Sequence, residues 1–500
     1  MPGFFDLPRE LRDLIYDAYL WREDGYVYNQ DTGKLRAALQ DDTIDLGLLS
    51  TCKQCAHEMK GRAFELNNIT FTTILSPKDD LNHRVRQFSG AFQTIYRAKT
   101  HIIYSCRQYI SSEVAHEVTE QFPTSKALIH HLTTTPFDDA AVSIYKRTIH
   151  NVQQGQSLSV KHDNIAHLLQ AIPRTDAFIQ SLRQVPYLND NQRSEAYVSA
   201  RTDMVAVAEL SPVPWAIPSS NEIARLSEIN LPNFPYATFD RPHDRMHFCF
   251  SAAALAIDFL KRLHSPVRLQ IRGITLVDKH TSVAEPQCHA MGLIPFAIEN
   301  PSLRIARRVD VWSNIFANCQ LLFWVAFADF GLSHFHITYA LTAIKEWIME
   351  VSALRPAGMS SDAFQLIFYS DIAPIQSFFD GLVKNAAWQV AFEQNLPDLT
   401  NGATQPDLSG VDGYVFFDGF PQAMRDIVAG TSSIRFDACV GDVGAIEREA
   451  SELLNFTSVE DVKNGWMSLM GRQGPVVPPA PLTWDDVFRV YLRADRGSSE

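Results

Sequence analysis

Apolar residues recur at three- and four-residue intervals along most of this chain, and short alternating runs interrupt them only a few times. The first periodic segment, FFDLPRELRDLIYDAYL, opens a helix at Pro8 and places Leu11, Leu14, Ile15 and Ala18 on one face. The second, LLSTCKQCAHEMKGRAFELNNITFTT, repeats the spacing through Leu46, Leu49, Cys52 and Ala56, then breaks into a short strand over residues 69–74. Each of these small amphipathic helices carries more apolar surface than it can bury alone, which predicts a docking module at residues 1–75.

Helical spacing resumes at residues 84–131 through Val85, Phe88, Ala91, Phe92, Ile95 and Ala98, and Ser111-Ser112-Glu113 reads as a further helix start. Residues 163–183 continue in helices broken at Pro173, so 76–210 is expected to be a helical region. The proline-rich stretch 211–242 has little periodicity and reads as a connection. The α+β body expected at 243–470 begins with a helix over 249–263 and a strand over 267–277, bent at Gly273. Helices over 334–351 and 372–392 flank a strand over 364–369, and an apolar run, Tyr414-Val-Phe-Phe417, reads as buried strand and turn. Residues 471–500 form a proline-rich linker and a last helix. The fold class is mainly α with a few short strands (α+β): a small N-terminal module packed on, or linked to, an α-rich body.

With 46% hydrophobic residues, 31 of the 500 being Phe, the chain has ample material for packed cores, and its length implies more than one. A net charge of −13 with no long basic run argues against nucleic acid as the partner. Seven scattered cysteines do not make a disulfide framework, and the N-terminus has neither a basic nor an apolar leader region. Residues 315–337 are apolar but interrupted by Asn318, Gln320, Asp329 and two histidines, which predicts a buried core segment and no membrane partner. The protein therefore reads as intracellular, cytoplasmic and/or nuclear.

Candidate chemistry is sparse. Cys52, Cys55 and His57 could supply three tetrahedral metal ligands, but no second half-site follows within forty residues. His243 and His247 have the one-turn spacing of a helical metal pair without the glutamate of HExxH, and His334 and His336 make a lone HxH. Asp278, His280, Ser282, Glu285 and His289 lie close together after the predicted 267–277 strand. Adjacency in sequence rarely gives triad geometry, and no GxSxG elbow occurs; strand exit and a Ser282 helix cap are the simpler roles. Arg304, Arg307 and Arg308 form a basic spot that could dock an anion or acidic peptide, or be a solvated face with local ion pairs. No phosphate-binding glycine loop is present, so no cofactor is implied and no catalytic residue is assigned.

The N-terminal helix, LPRELRDLIYDAYL, resembles the first helix of the F-box. The following segment resembles the fungal F-box-like variant, carried here by Glu10, Arg12, Thr51, Cys52, Lys53, Gln54, Glu58, Phe64, Asn67, Ile69 and Phe71. The connection over residues 21–45 is longer than the F-box has, and no Trp follows the Cys-Lys pair. A second run, TSVAEPQCHAMGLIPFAIENPSLRIARRVDVWSNIF, is similar to a segment of fungal proteins with the same kind of N-terminus. The resemblance implies a protein-binding F-box-like protein, a substrate adaptor of a ubiquitin ligase containing a Skp1-type adaptor. Leu7, Pro8, Leu11, Ile15, Leu49 and Cys52 would then build the partner-binding module, with Cys52 in a core position. Two alternatives stand beside it: a purely structural N-terminal module packed onto the body as its N-terminal layer, with the 21–45 insert able to cover the face an adaptor needs, and a metal-dependent hydrolase.

Overall fold

A computed structural model of the chain describes residues 3–38, 44–73, 79–134, 156–185, 202–229, 249–316, 337–370, 375–399, 417–442 and 444–452, with positions 458, 461, 464 and 465. The chain is mainly helical, with short strands gathered into one sheet. Strands β1 (Tyr26–Asn29), β2 (Lys34–Ala37), β3 (Ile69–Thr72), β4 (Gly273–Asp278), β5 (Arg304–Asp310), β6 (Phe364–Tyr369) and β7 (Ile434–Phe436) lie in the order β2-β1-β3-β4-β5-β6-β7. Only the β1–β2 hairpin is antiparallel; every other neighbouring pair is parallel and follows chain order. Parallel neighbours need a crossover between them. Helices supply it, for example Ile337–Leu354 between β5 and β6 and Ile375–Leu399 between β6 and β7.

The sheet buries one face. Ile69, Phe71, Ile274, Leu276, Ile305, Val309, Leu366, Phe368, Ile434 and Phe436 point into a large core shared with Ala252–Arg262 and the helices after β5 and β6. The alternate positions, Thr70, Thr72, Thr275, Val277, Ala306, Gln365 and Ile367, are half-buried, and Arg304, Arg308 and Arg435 are exposed. Parallel sheets usually carry helices on both faces. Among the described residues, no apolar cluster packs against the second face of this sheet, which is polar and basic and open except at its end, where Tyr369 and Asp310 are buried.

Between β3 and β4 the chain builds a second core. The long helix α4 (Asp79–Ser105) contributes Val85, Phe88 and Phe92 to the sheet core. Further along, Ala91, Ile95 and Ile102 join Leu128, Ile165, Leu168, Phe178, Leu182 and Val207 in an all-helical cluster. The expected helix start at Ser111 holds, its side chain accepting from the Val114 N–H, and Thr175 caps a further helix by accepting from the Phe178 N–H. Pro173 separates the helices Leu158–Ala171 and Asp176–Gln184.

Several expectations change. The strand read over 267–277 begins only at Gly273, because Pro266 starts a one-turn helix, Ser265–Arg268. β5 occupies the basic run, and the insert over 21–45 supplies β1 and β2, extending the sheet at its edge. Ser282 caps no helix; it is buried beside Cys249. Ile315 and Phe316 are buried as expected of a core segment. Residues 317–336, with His334 and His336, lie outside the described residues, as do 414–416 and the linker and helix of 471–500.

Gly25 turns the chain into β1 at φ +66°, and a Cβ there would stand 2.3 Å from the Asn68 carbonyl oxygen. Gly430 has φ +70° with nothing within 4 Å of a Cβ. Gly25→Ala should cost about 3 kcal/mol against about 1 kcal/mol for Gly430→Ala. Chemical denaturation of the two variants checks the difference, which equal losses would refute.

Candidate functional site

The N-terminal module is organised by a carboxylate. Helix α1 (Arg9–Leu20) lies against α2 (Lys53–Glu58) and α3 (Arg62–Leu66). Arg12 holds Glu58 in a two-pronged bond, Nε to Oε2 at 3.0 Å and Nη2 to Oε1 at 2.7 Å. Tyr16 donates to Glu58 Oε2 at 2.8 Å and Gln54 to Oε1 at 3.0 Å. Arg12 also donates to the Leu7 carbonyl at 2.6 Å, which fixes the chain entering the helix. Arg12, then Gln54 and Tyr16, hold the Glu58 carboxyl well below the usual carboxylate range. Burial and the Glu58 carboxylate push the Tyr16 phenol up.

Because Arg12, Tyr16 and Leu20 face inward, the other side of α1 faces solvent. Leu11, Leu14 and Ile15 are 47%, 65% and 43% exposed, and Phe5, Leu7 and Pro8 are exposed beside them. Leu49 and Cys52 are instead half-buried against the Tyr16–Leu20–Cys55–Met59 cluster. The predicted binding residues thus divide: Leu7, Pro8, Leu11 and Ile15 are presented, while Leu49 and Cys52 support. The described part of the insert forms the β1–β2 hairpin, and Leu11, Leu14 and Ile15 stay exposed.

The motif residues build the module itself. Cys52 accepts from the Cys55 N–H at the start of α2. Asn67 ties the end of α1 to α3, donating to the Leu20 carbonyl at 2.9 Å and the Ala63 carbonyl at 2.8 Å, and accepts from the Arg22 N–H at 2.7 Å. Ile69 and Phe71 enter the sheet core.

Cys52, Cys55 and His57 do not converge as ligands. Cys55 is buried toward Tyr16, and His57 is exposed. His243 and His247 lie outside the described residues. Among the described residues, no group of three or more His, Cys, Asp or Glu is arranged to hold a metal ion.

The basic spot also divides. Arg307 is fully buried and paired with Asp278, Nε to Oδ2 at 2.7 Å, and its guanidinium lies 4.4 Å from the Trp347 ring centroid. It is unavailable to an outside anion. Arg304 and Arg308, on the opposite side of β5, are exposed.

Asp278 and His289 both attach to the start of the Ala252–Arg262 helix, the first at the Ala252 N–H and the second at Ser251, which sequence adjacency did not suggest. Asp278 Oδ1 accepts from the Ala252 N–H at 2.9 Å, at the start of the Ala252–Arg262 helix. Ser251 caps the same helix, accepting from the Ala254 N–H, and lies 2.7 Å from His289 Nδ1. With His289 Nε2 donating to the Ala284 carbonyl at 2.8 Å, the serine hydroxyl donates to Nδ1. Ser251, Asp278 and His289 are all buried, so a nucleophile here would have no route to a substrate. Glu285, in left-handed backbone at φ 59°, turns away to His162 at 3.2 Å, and the His280 imidazole is elsewhere, its pKa lowered by burial. A cavity of ≈ 700 Å³, lined by residues including Lys126, His130, Ser157 and Asp418, contains none of these groups. The arrangement is a structural network that anchors strand ends and a helix start.

Compared with protein-family models, curated proteins and solved structures, the chain matches none. No helix among the described residues is long and apolar enough to cross a membrane.

Two predictions follow from the buried network. Removing one partner of the Asp278–Arg307 pair strands a charge in the core, so Asp278→Ala should cost about 3–5 kcal/mol, and Asp278→Ala/Arg307→Leu less than the sum of the singles. Denaturant titration of the cycle reads this; additive losses would contradict it. Burial, aided by Arg307, lowers the His289 pKa to about 3, against about 6.5 in an unfolded chain. On acidification the unfolded chain takes up this proton first, so stability is complete above about pH 6.5 and falls toward pH 3. Between pH 7 and 5 the loss should exceed that of His289→Gln by roughly 2 kcal/mol. Identical pH slopes would remove His289 from this role.

Proposed function

We propose that this chain is an intracellular F-box-like binding protein. Its α1 stripe docks a Skp1-type adaptor, and its body recruits a protein client to a ubiquitin ligase. The observation that carries this reading is the outward-facing set Leu11, Leu14 and Ile15, with Leu7 and Pro8 at its head. An apolar stripe on a helix is normally buried, and here the buried side of α1 is the charged and aromatic one. A purely structural module would need that stripe covered by the body. Support also comes from four of the residues that carry the resemblance: Glu58 and Asn67 are buried and tie the module's helices together, Gln54 donates to Glu58, and Cys52 caps α2.

Co-purification of the full chain with a Skp1-type adaptor tests the reading. Leu11→Asp/Leu14→Asp/Ile15→Asp should weaken the complex at least tenfold and change folding stability by no more than about 0.5 kcal/mol per site, because all three side chains are exposed. A folded wild-type chain that retains no adaptor under mild conditions would overturn the proposal.

A further inference from the structure

The open face of the sheet has a charge pattern opposite to that of the whole chain. On the alternation that points away from the core, the strands carry Lys34 and Arg36 on β2, Arg304 and Arg308 on β5, and Arg435 on β7. The one carboxylate in that alternation, Asp310, is buried at the end of β5 and accepts from the Trp312 N–H and the Ser313 hydroxyl. The chain as a whole has 57 acidic residues against 44 basic ones. Five cations on one face of an acidic protein give that face a local potential of its own.

Three of these arginines form a connected group. Arg308 is in register with Ile367 and, through it, with Arg435, two strand spacings or about 10 Å away. Arg304 lies four residues earlier on β5, about 13 Å along the strand. Arg308 is held over the Tyr369 ring at 4.9 Å, and Arg304 donates to the Pro301 and Leu303 carbonyls at 2.7 and 3.1 Å. These contacts position the two guanidiniums without neutralising them. Among the described residues, no ion pair joins Arg304, Arg308 or Arg435 to a carboxylate. Between the cations, Val277 and Ile367 make an apolar floor, and Thr72, Thr275 and Gln365 add hydrogen-bonding groups.

We infer that this face docks an extended acidic peptide segment, gripped by Arg304, Arg308 and Arg435. Side chains four residues apart on one side of an extended segment stand about 13 Å apart, matching Arg304 and Arg308 along β5, while Arg435 flanks that line about 10 Å to one side. Carboxylates are the natural partners of guanidinium forks. Nucleic acid fits less well, because effective phosphate binding takes roughly 6–10 neutralised phosphates and the remaining surface of a −13 chain repels a polyanion. Identifying the bound segment as the client rests on the function proposed above; the chemistry of the face does not.

Fluorescence anisotropy with the full chain tests this, using a labelled dodecapeptide of alternating Glu and Ser, its Lys-Ser counterpart, and a twelve-nucleotide single strand. The Glu-Ser peptide should bind at least tenfold more tightly than the Lys-Ser peptide, and more weakly as salt rises. Arg304→Glu/Arg308→Glu/Arg435→Glu should abolish that binding, with Arg304→Gln/Arg308→Gln/Arg435→Gln as the milder variant if the reversal does not fold. Equal binding of both peptides, unchanged binding by a folded triple variant, or tighter binding of the oligonucleotide would each overturn the inference. The α1 aspartate variant separates the two proposals: it should lose the adaptor and keep the acidic peptide.

Discussion

The ion pair between Asp278 and Arg307 fixes the register on which both faces of the sheet depend. Both groups are buried, so the pair is kept from water and its alternatives are costly. Asp278 also receives the first N–H of the Ala252–Arg262 helix, so one carboxylate joins β4, β5 and a helix start. Because strand side chains alternate, turning Arg307 inward turns Arg304 and Arg308 outward. A slip of one residue on β5 would bury Arg308 and expose Ile305 and Val309. The open basic face is therefore a consequence of how the core is pinned.

The N-terminal module applies the same physics to a helix. Apolar periodicity alone would turn Leu11, Leu14 and Ile15 inward, and hydrophobic burial favours that by about 2 kcal/mol per side chain. The alternative in this structure gives Arg12 a two-pronged carboxylate and the Leu7 carbonyl, and gives the buried Tyr16 hydroxyl a partner. Turning the helix about its axis would strand Glu58 and expose Leu20. In each place an arginine inside the protein decides which side chains are left outside.

This also explains what the sequence could and could not reveal. Helices were legible where apolar spacing and a polar cap coincide, as at Ser111. The strand Phe364–Tyr369 was legible because its apolar run is bounded and short. β5 was not, because LRIARRVDVW hides an inward arginine whose carboxylate partner is 29 residues earlier. β1 and β2 were hidden in an insert that owes its structure to β3. Between Thr51 and Phe71 some bonds are local, Gln54 to Glu58, Cys55 to Cys52 and Asn67 to Ala63, but Glu58 and Asn67 also reach Arg12, Tyr16 and Leu20 on α1, far away in sequence. The outward stripe of α1 was visible as a stripe, yet its direction depended on Glu58, 46 residues from Arg12. The Ser251–His289 contact spans 38 residues and has no local signal.

The joint between module and body bears on how the two proposed surfaces would work together. α1 is followed by β1, and α3 by β3, and both strands belong to the body's sheet. Asn67 closes the module, and the adjacent Asn68 donates to Thr275 on β4 at 2.8 Å. The module and the sheet are thus coupled by paired backbone and buried side chains, with no flexible linker between α3 and β3. An adaptor on the α1 stripe and an acidic segment on the open face would be held in a fixed relation by that joint. Orientation would then come from the sheet, and selectivity from opposite chemistries, apolar at one surface and cationic at the other.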